Sequence, residues 1–202
     1  MYTVQNKVLP GAYINFVSAA RASATLGDRG TAAFPLALDW GPENEVVTIE
    51  NSEFQKGSLA LTGYAYTADE LRPLREIFAN AKTLHLFRLN SGGAKAACKY
   101  AEAKYPGKIG NELKIVIQQN EGFTASTNEV YDVSTYIGTT LVDTQKAVKA
   151  VADLTDNEYL HWKGSEALTE NAGLLLTGGT TGAVQDAAYQ TFLDKIEPYS
   201  FN

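Results

Sequence analysis

Cysteine is nearly missing from this chain. Cys98 is the only one in 202 residues, so no intrachain disulfide can form and stability must come from packing alone, which suits assembly in a cytoplasm. Histidine is almost as scarce. His85 and His161 sit in separate strand-like segments with no HxH, HxxxH or CxxC companion, and neither spacing describes a metal site. No stretch approaches the roughly 18 to 20 apolar residues that a membrane span requires, and Met1-Tyr2-Thr3-Val4-Gln5 lacks the basic and apolar regions of a signal peptide. Direct membrane insertion is therefore not expected. Positive charge is also in deficit: 17 Lys and Arg against 23 Asp and Glu leave a net charge of -6. Nucleic-acid binders concentrate basic residues on one face. Here the densest basic group, Lys95, Lys99, Lys104 and Lys108, is interrupted by Glu102 and reads as a solvated surface.

Catalytic patterns are missing as well. There is no Gly-x-Ser-x-Gly elbow, and Cys98 lies among Ala and Lys with no histidine near it in sequence. Ser91-Gly92-Gly93-Ala94-Lys95 lacks the Gly-Lys-Ser/Thr ending of a phosphate loop. Leu176-Thr177-Gly178-Gly179-Thr180-Thr181-Gly182 is followed by Ala183 and Val184 where an anion site would place polar donors. The acid pairs Asp69 with Glu70 and Asp153 with Asp156 fall at predicted helix ends, where they complement the dipole. No catalytic residue, cofactor or metal is assigned, and no enzyme is expected.

What the chain does contain is an ordinary globular composition, 45% hydrophobic and 20% charged, enough for one or two domains. Residues 1–20 carry alternating apolar positions at Tyr2, Val4, Val8, Tyr13 and Phe16 with no helical period, and read as an extended arm. Strand-like runs follow at Phe34–Asp39 and Glu45–Ile49, then a loop. Thr67-Ala68-Asp69-Glu70 has capping-box form, but Pro73 moves the start of the regular helix to near Arg72; Leu71, Leu74, Phe78 and Ala81 share one face of a helix ending near Lys82. Leu84–Leu89 is apolar on both faces apart from His85 and Arg88, the pattern of a central strand covered on both sides.

Beyond Ser91-Gly92-Gly93 the character changes. Glu112–Gln118 alternates with Leu113, Ile115 and Ile117 on one face, and Tyr131–Ile137 with Tyr131, Val133 and Thr135. Asp143 is predicted to cap a helix that turns Ala147, Val148, Val151 and Leu154 inward and ends near Asn157. Tyr159–Trp162 and Leu174–Leu176 read as closing strands, Thr177–Gly182 as a flexible joint. Asp186–Glu197 reads as an amphipathic helix with Ala188, Phe192, Leu193 and Ile196 inward. The expected fold is mixed α+β: a small α/β layered domain over 21–93 and 182–202, interrupted by a strand-rich, sandwich- or barrel-like domain over 94–181, with the arm over 1–20.

Six segments in this order carry a family likeness: Pro10–Pro42, Leu84–Asn90, Tyr105–Asn111, Tyr131–Tyr136, Leu176–Gly182 and Tyr189–Asp194. Together they resemble the tail sheath protein of contractile-tailed bacteriophages and of the phage-tail-like particles of Gram-positive bacteria. The resemblance implies a self-associating virion structural subunit in a helical array around the tail tube protein. It would be assembled in the bacterial host cytoplasm and contract to drive the tube through the cell envelope. It also implies that the arm Tyr2, Thr3, Val4, Gln5, Asn6, Lys7 and Val8 links neighbouring subunits, that 94–181 faces outward, and that members continue past Phe201 into an inner-layer domain. The chain is accordingly read as an N-terminal portion, incomplete at its C-terminal end. An alternative from another class, a small-ligand or carbohydrate-binding module, rests on Tyr131, Tyr136, Tyr159 and Trp162.

Overall fold

A computed structural model describes residues 30–200. The arm residues Tyr2–Val8 lie outside the described residues.

The first layer is a three-stranded mixed sheet. Strand β1 (Gly30–Leu36) runs parallel to β3 (Ala81–Arg88), and β2 (Val46–Glu50) runs antiparallel to β3 on its other side, giving the order β1-β3-β2. The central position expected for Leu84–Leu89 is thus observed, and both its faces are covered. On one face Leu84 and Leu86 pack with Ile49, Phe54, Leu71, Leu74 and Phe78, drawn from β2, from helices α1 (Asn51–Thr62) and α2 (Arg72–Phe78), and from the turn just before α2. On the other, Phe87 meets Phe192 at 5.7 Å between ring centroids and His85 meets Tyr199 at 4.7 Å, both from or just beyond α3 (Asp186–Ile196). His85 is a satisfied sheet residue, its Nδ1 2.9 Å from Thr48 Oγ1.

Two elements differ from expectation here. The loop after β2 is the helix α1: its buried positions are Phe54, Ser58 and Thr62, spaced by four but mostly polar, so no apolar stripe advertises it. The Thr62 hydroxyl is satisfied inside the helix by donating to the Ser58 carbonyl at 2.7 Å. Helix α2 ends at Phe78 and not near Lys82, because Ala81 already begins β3. The entry to α2 is as predicted, a single 3₁₀ turn over Asp69–Leu71 placing Pro73 in the first turn, where its missing N–H costs nothing.

After β3 the chain builds a β-sandwich. A four-stranded sheet has the order β7-β6-β5-β9, with β5 (Leu113–Gln119), β6 (Tyr131–Ile137), β7 (Thr140–Val148) and β9 (Asn171–Leu175). A short pair, β4 (Ala101–Ala103) with β8 (Leu160–Trp162), forms the second sheet. The alternation read in β5 and β6 is the core face: Leu113, Ile115 and Ile117 are 0% exposed, and Val133 and Thr135 1%.

The helix predicted from Asp143 does not form. Residues 140–148 are strand β7, joined to β6 by the two-residue turn Gly138-Thr139, with Gly138 at φ 57° as such hairpins require. Asp143 accepts from Asn157 Nδ2 at 2.9 Å and Gln145 Nε2 at 3.1 Å and caps nothing. Only a 3₁₀ turn, Val151–Asp153, follows. In α3, Ile196 is buried as expected, but Leu193 is 56% exposed and faces away from the sheet.

Replacing Ile115 by Ala should cost about 2–5 kcal/mol in urea unfolding, since the site is closed on every side. Replacing Leu141, 52% exposed on β7, should cost under about 0.5 kcal/mol.

Candidate interdomain joint

No described cluster has the form of a catalytic or metal centre: no three His, Cys, Asp or Glu side chains converge among the described residues. His161 pairs with Asp156 at 2.7 Å on the surface. The aromatics that suggested a binding module are not gathered on one platform, because Tyr131 and Tyr159 are each only 7% exposed in the core and Tyr136 lies on the outer face of the four-stranded sheet. Polar side chains instead converge where the chain leaves the α/β layer and where it returns.

The outgoing segment after β3 and the returning segment after β9 run antiparallel. Ala94 and Thr180 exchange backbone hydrogen bonds of 3.1 and 3.0 Å, Ala97 and Thr177 exchange bonds of 2.8 and 3.1 Å, and Asn90 bridges Val184. Two asparagines add a peptide-like clasp to remote backbone. Asn90 takes the Leu38 N–H at 2.8 Å and donates to the Leu38 carbonyl at 2.7 Å; Asn111 does the same with Gly179, both bonds at 2.8 Å. An amide side chain matches a peptide donor for acceptor, so both segments are satisfied without a sheet. Asp39 accepts from the Thr181 hydroxyl at 2.5 Å and from the Tyr64 hydroxyl at 2.9 Å. Burial, together with this bond to Asp39, pushes the Tyr64 phenol well above its ordinary pKa.

Arg88, the last residue of β3, is the buried charge of the joint, 3% exposed. Its Nη1 donates to the carbonyls of Gly41 at 2.7 Å and Pro106 at 2.9 Å, and its Nη2 lies 3.7 Å from Glu43 Oε1, an ion pair too long for a hydrogen bond. Burial pulls the guanidinium below its usual pKa, while Glu43 and Asp39 oppose the shift. The other Glu43 oxygen accepts the Gly92 amide at 3.2 Å. One arginine thus holds the 41–43 turn and the 105–107 turn to the end of the central strand.

Trp40 supplies the apolar part. It is fully buried in the sandwich core although it precedes β2 in sequence, donates Nε1–H to the Ala60 carbonyl at 3.0 Å, and meets the Tyr105 ring edge-on at 5.4 Å and the Tyr159 ring stacked at 6.5 Å. Where these segments cross there is no space for side chains. A Cβ on Gly107, at φ 147°, would run into the Asp39 carbonyl, and one on Gly182 into the Ser91 carbonyl.

Of the glycines in 177–182, expected as a flexible joint, Gly179 and Gly182 therefore serve close approach in a hydrogen-bonded crossing, while Gly178 has open space and turns the chain at φ 86°. The polar residues that fix it, Asn90, Asn111, Asp39 and Arg88, show no sequence spacing: apart from the Arg88 Nε bond to Asn90 Oδ1 at 3.4 Å, their partners lie 18 to 142 residues away. Arg88 alone gave a signal, a charge inside an otherwise apolar central strand.

Gly107→Ala should destabilise by several kcal/mol because backbone must move. Arg88→Ala should cost about 3–5 kcal/mol by leaving two carbonyls without their donor and Glu43 without its counter-charge. Urea unfolding followed by tryptophan fluorescence checks both; a loss under about 1 kcal/mol for Arg88→Ala would remove it as the anchor of the joint.

Residues 29–89 match the tail sheath protein Gp18 domain III N-terminal region, and residues 91–181 match the phage tail sheath protein beta-sandwich domain. The chain is 33% identical, over 99% of its length, to the phage-like element PBSX protein XkdK of Bacillus subtilis, and 30% identical, over 98%, to the uncharacterized protein YqbK of the same organism; it spans 46% of each. Among solved structures, the sheath tail protein Lin1278 of Listeria innocua superposes with a TM-score of 0.74 at 32% identity, covering 88% of this chain and 40% of that one. The sheath tail protein DSY3957 of Desulfitobacterium hafniense gives 0.74 at 35% identity, with 95% and 44% covered. With two sheath domains in series and the fold of solved sheath proteins, the chain belongs to the phage tail sheath protein family.

Proposed function

We propose that the chain is the N-terminal portion of a contractile tail sheath subunit. Copies would assemble in a helical array around a tail tube and contract to drive the tube through a cell envelope. Family membership itself makes this a structural tail component of a phage or phage-like element and not an enzyme. The observation that carries the finer reading is the order of the two sheath domains, with the sandwich leaving the α/β layer after β3 and the chain returning to that layer through α3. In this reading 21–93 and 182–202 form an α/β sheath domain that further sequence completes, 94–181 is the inserted domain facing outward, and Tyr2–Val8 link subunits. Assembly is proposed to take place in the host cytoplasm and to end in the virion tail.

The half-length match supports one more step. The chain spans about half of the relatives it matches, and its first domain corresponds to an N-terminal region only. A helical tube needs contacts in at least two directions on every subunit. Electron microscopy of the purified 202-residue protein should show no sheath-like tubes, and a version extended to the length of its relatives should form them. Long tubes from the 202-residue protein alone would sink the view that the remaining half supplies essential contacts.

A further inference from the structure

Helix α3 carries a wider apolar arc than the sheet beneath it covers. Ala188 and Ile196 fall within about 40° of Phe192 round the helix axis, and this stripe lies on β3, where Phe192 meets Phe87. Tyr189 and Leu193 lie about 60° and about 100° from Phe192 on one flank, and they are 53% and 56% exposed. Val184, just before the helix, is 41% exposed. The opposite flank is already settled: Thr191 is half-buried there, and its hydroxyl donates to the Ala187 carbonyl at 3.0 Å. Gln190 and Asp194 take the outer side and bond to each other at 2.8 Å. The exposed apolar surface therefore runs beside the buried stripe and is continuous with it.

The sheet shows the same imbalance. Cross-strand neighbours share a face, so Phe34, Val47 and Ile49 lie with Leu84 and Leu86 in the cluster that α1 and α2 close. The other face carries Ala33 and Pro35 beside His85 and Phe87 on one side, and Thr48 and Val46 beside the same two on the other. Among the described residues, the ring contacts on that face come from α3 and from Tyr199 beyond it. Ala33, Pro35 and Val46 remain half-buried and Thr48 exposed. Two helices thus cover one face and a single helix with an open apolar flank covers the other.

We propose that a further helix of the same domain packs beside α3 on this face, seated against Val184, Tyr189 and Leu193. It belongs to the sequence that the longer relatives carry outside the stretch matched here. The chain spans 46% of each curated relative, and its α/β domain matches an N-terminal region only, so that domain has sequence still to place. A layer takes its covering elements from its own chain, because a domain closes one core before it presents a surface to another molecule. The flank is part of that core's margin: it runs without a polar break into Phe192 and Phe87. Tyr189 and Leu193 are four residues apart, the spacing of a ridge that a neighbouring helix receives in its groove at about 8–10 Å between axes. The occupant rests on the reading of the chain as part of a longer sheath subunit; the place it takes rests on α3 and the sheet.

Maleimide labelling of Leu193→Cys in a Cys98→Ala background tests it, in the 202-residue protein and in the version extended to the length of its relatives. The extended protein is used at concentrations where sedimentation velocity shows a monomer. Position 193 should label freely in the shorter protein and at least roughly tenfold more slowly in the longer one, because a covered side chain reacts only through local opening. The protection should not change on further dilution. Asp194→Cys, on the outer side of α3, should label at similar rates in both. Leu193→Asp should move the melting temperature of the 202-residue protein by less than about 1 °C and lower that of the extended protein by about 4 °C or more. Free labelling at 193 in the extended monomer, equal protection at 194, or equal melting shifts in the two proteins would overturn the proposal. Protection that appears only on assembly would overturn it too, by making the flank a contact between subunits. The sheath reading is judged separately, by whether the extended protein forms tubes.

Discussion

Everything beyond the first sheet depends on how closely four stretches of backbone cross at the joint. The carbonyls of Asp39 and Ser91 occupy the space where Gly107 and Gly182 would carry a Cβ. Backbone at that separation excludes side chains, so the groups left inside must be satisfied by one another or by a few reaching side chains. Asn90 and Asn111 provide a second peptide face, Arg88 provides donors for two carbonyls at once, and Asp39 collects two hydroxyls. Two of these bonds, from Arg88 to the Pro106 carbonyl and from Thr181 to Asp39, run from the first layer to the sandwich or its return and set its position, and the others brace the segments on either side.

Polar groups define this crossing more sharply than apolar ones would. Apolar contacts tolerate sliding, since their energy follows area and not direction. A peptide-matched amide or a guanidinium holding two carbonyls loses both bonds when displaced by an ångström or two, and leaves buried groups unpaired. Trp40 complements them. Seated in the sandwich core, it is tied by a hydrogen bond to Ala60 of α1, while Tyr64 is the side chain that packs against both apolar clusters.

How much of this was legible in sequence depended on whether the determining interaction was local. Strands β5 and β6 were readable because alternation is set by the pleat and one face is core. β3 was readable from its unbroken apolar run, and its two exceptions, His85 and Arg88, proved to have fixed partners. Helix α1 was hidden because its buried face carries Ser58 and Thr62, the Thr62 hydroxyl being satisfied by the Ser58 backbone carbonyl within the helix. β7 was misread because Ala147, Val148, Val151 and Leu154 have helical spacing, yet the residues belong to three structures: a strand with a left-handed residue at Ala147, a turn, and a 3₁₀ segment. The joint was misread for a related reason. Glycine doublets look alike in sequence whether they supply freedom or close approach, and only the distant carbonyl decides.

In the proposed sheath this arrangement divides stiffness from mobility. A contracting array rearranges contacts between subunits, and the free energy released performs work only if the subunits do not absorb it by bending inside. A joint of directional bonds around Arg88 and Asp39, with no room at Gly107 and Gly182, resists such bending. Contacts on the surface have the opposite requirement, because they must exchange one arrangement for another without large barriers. Exposed groups suit that role, because solvent and salt screen their charges and none of them is a buried unpaired group whose release would cost several kcal/mol. The hard interactions are therefore placed within the subunit and the soft ones at its surface, which is the distribution a mechanical assembly of repeated rigid parts needs.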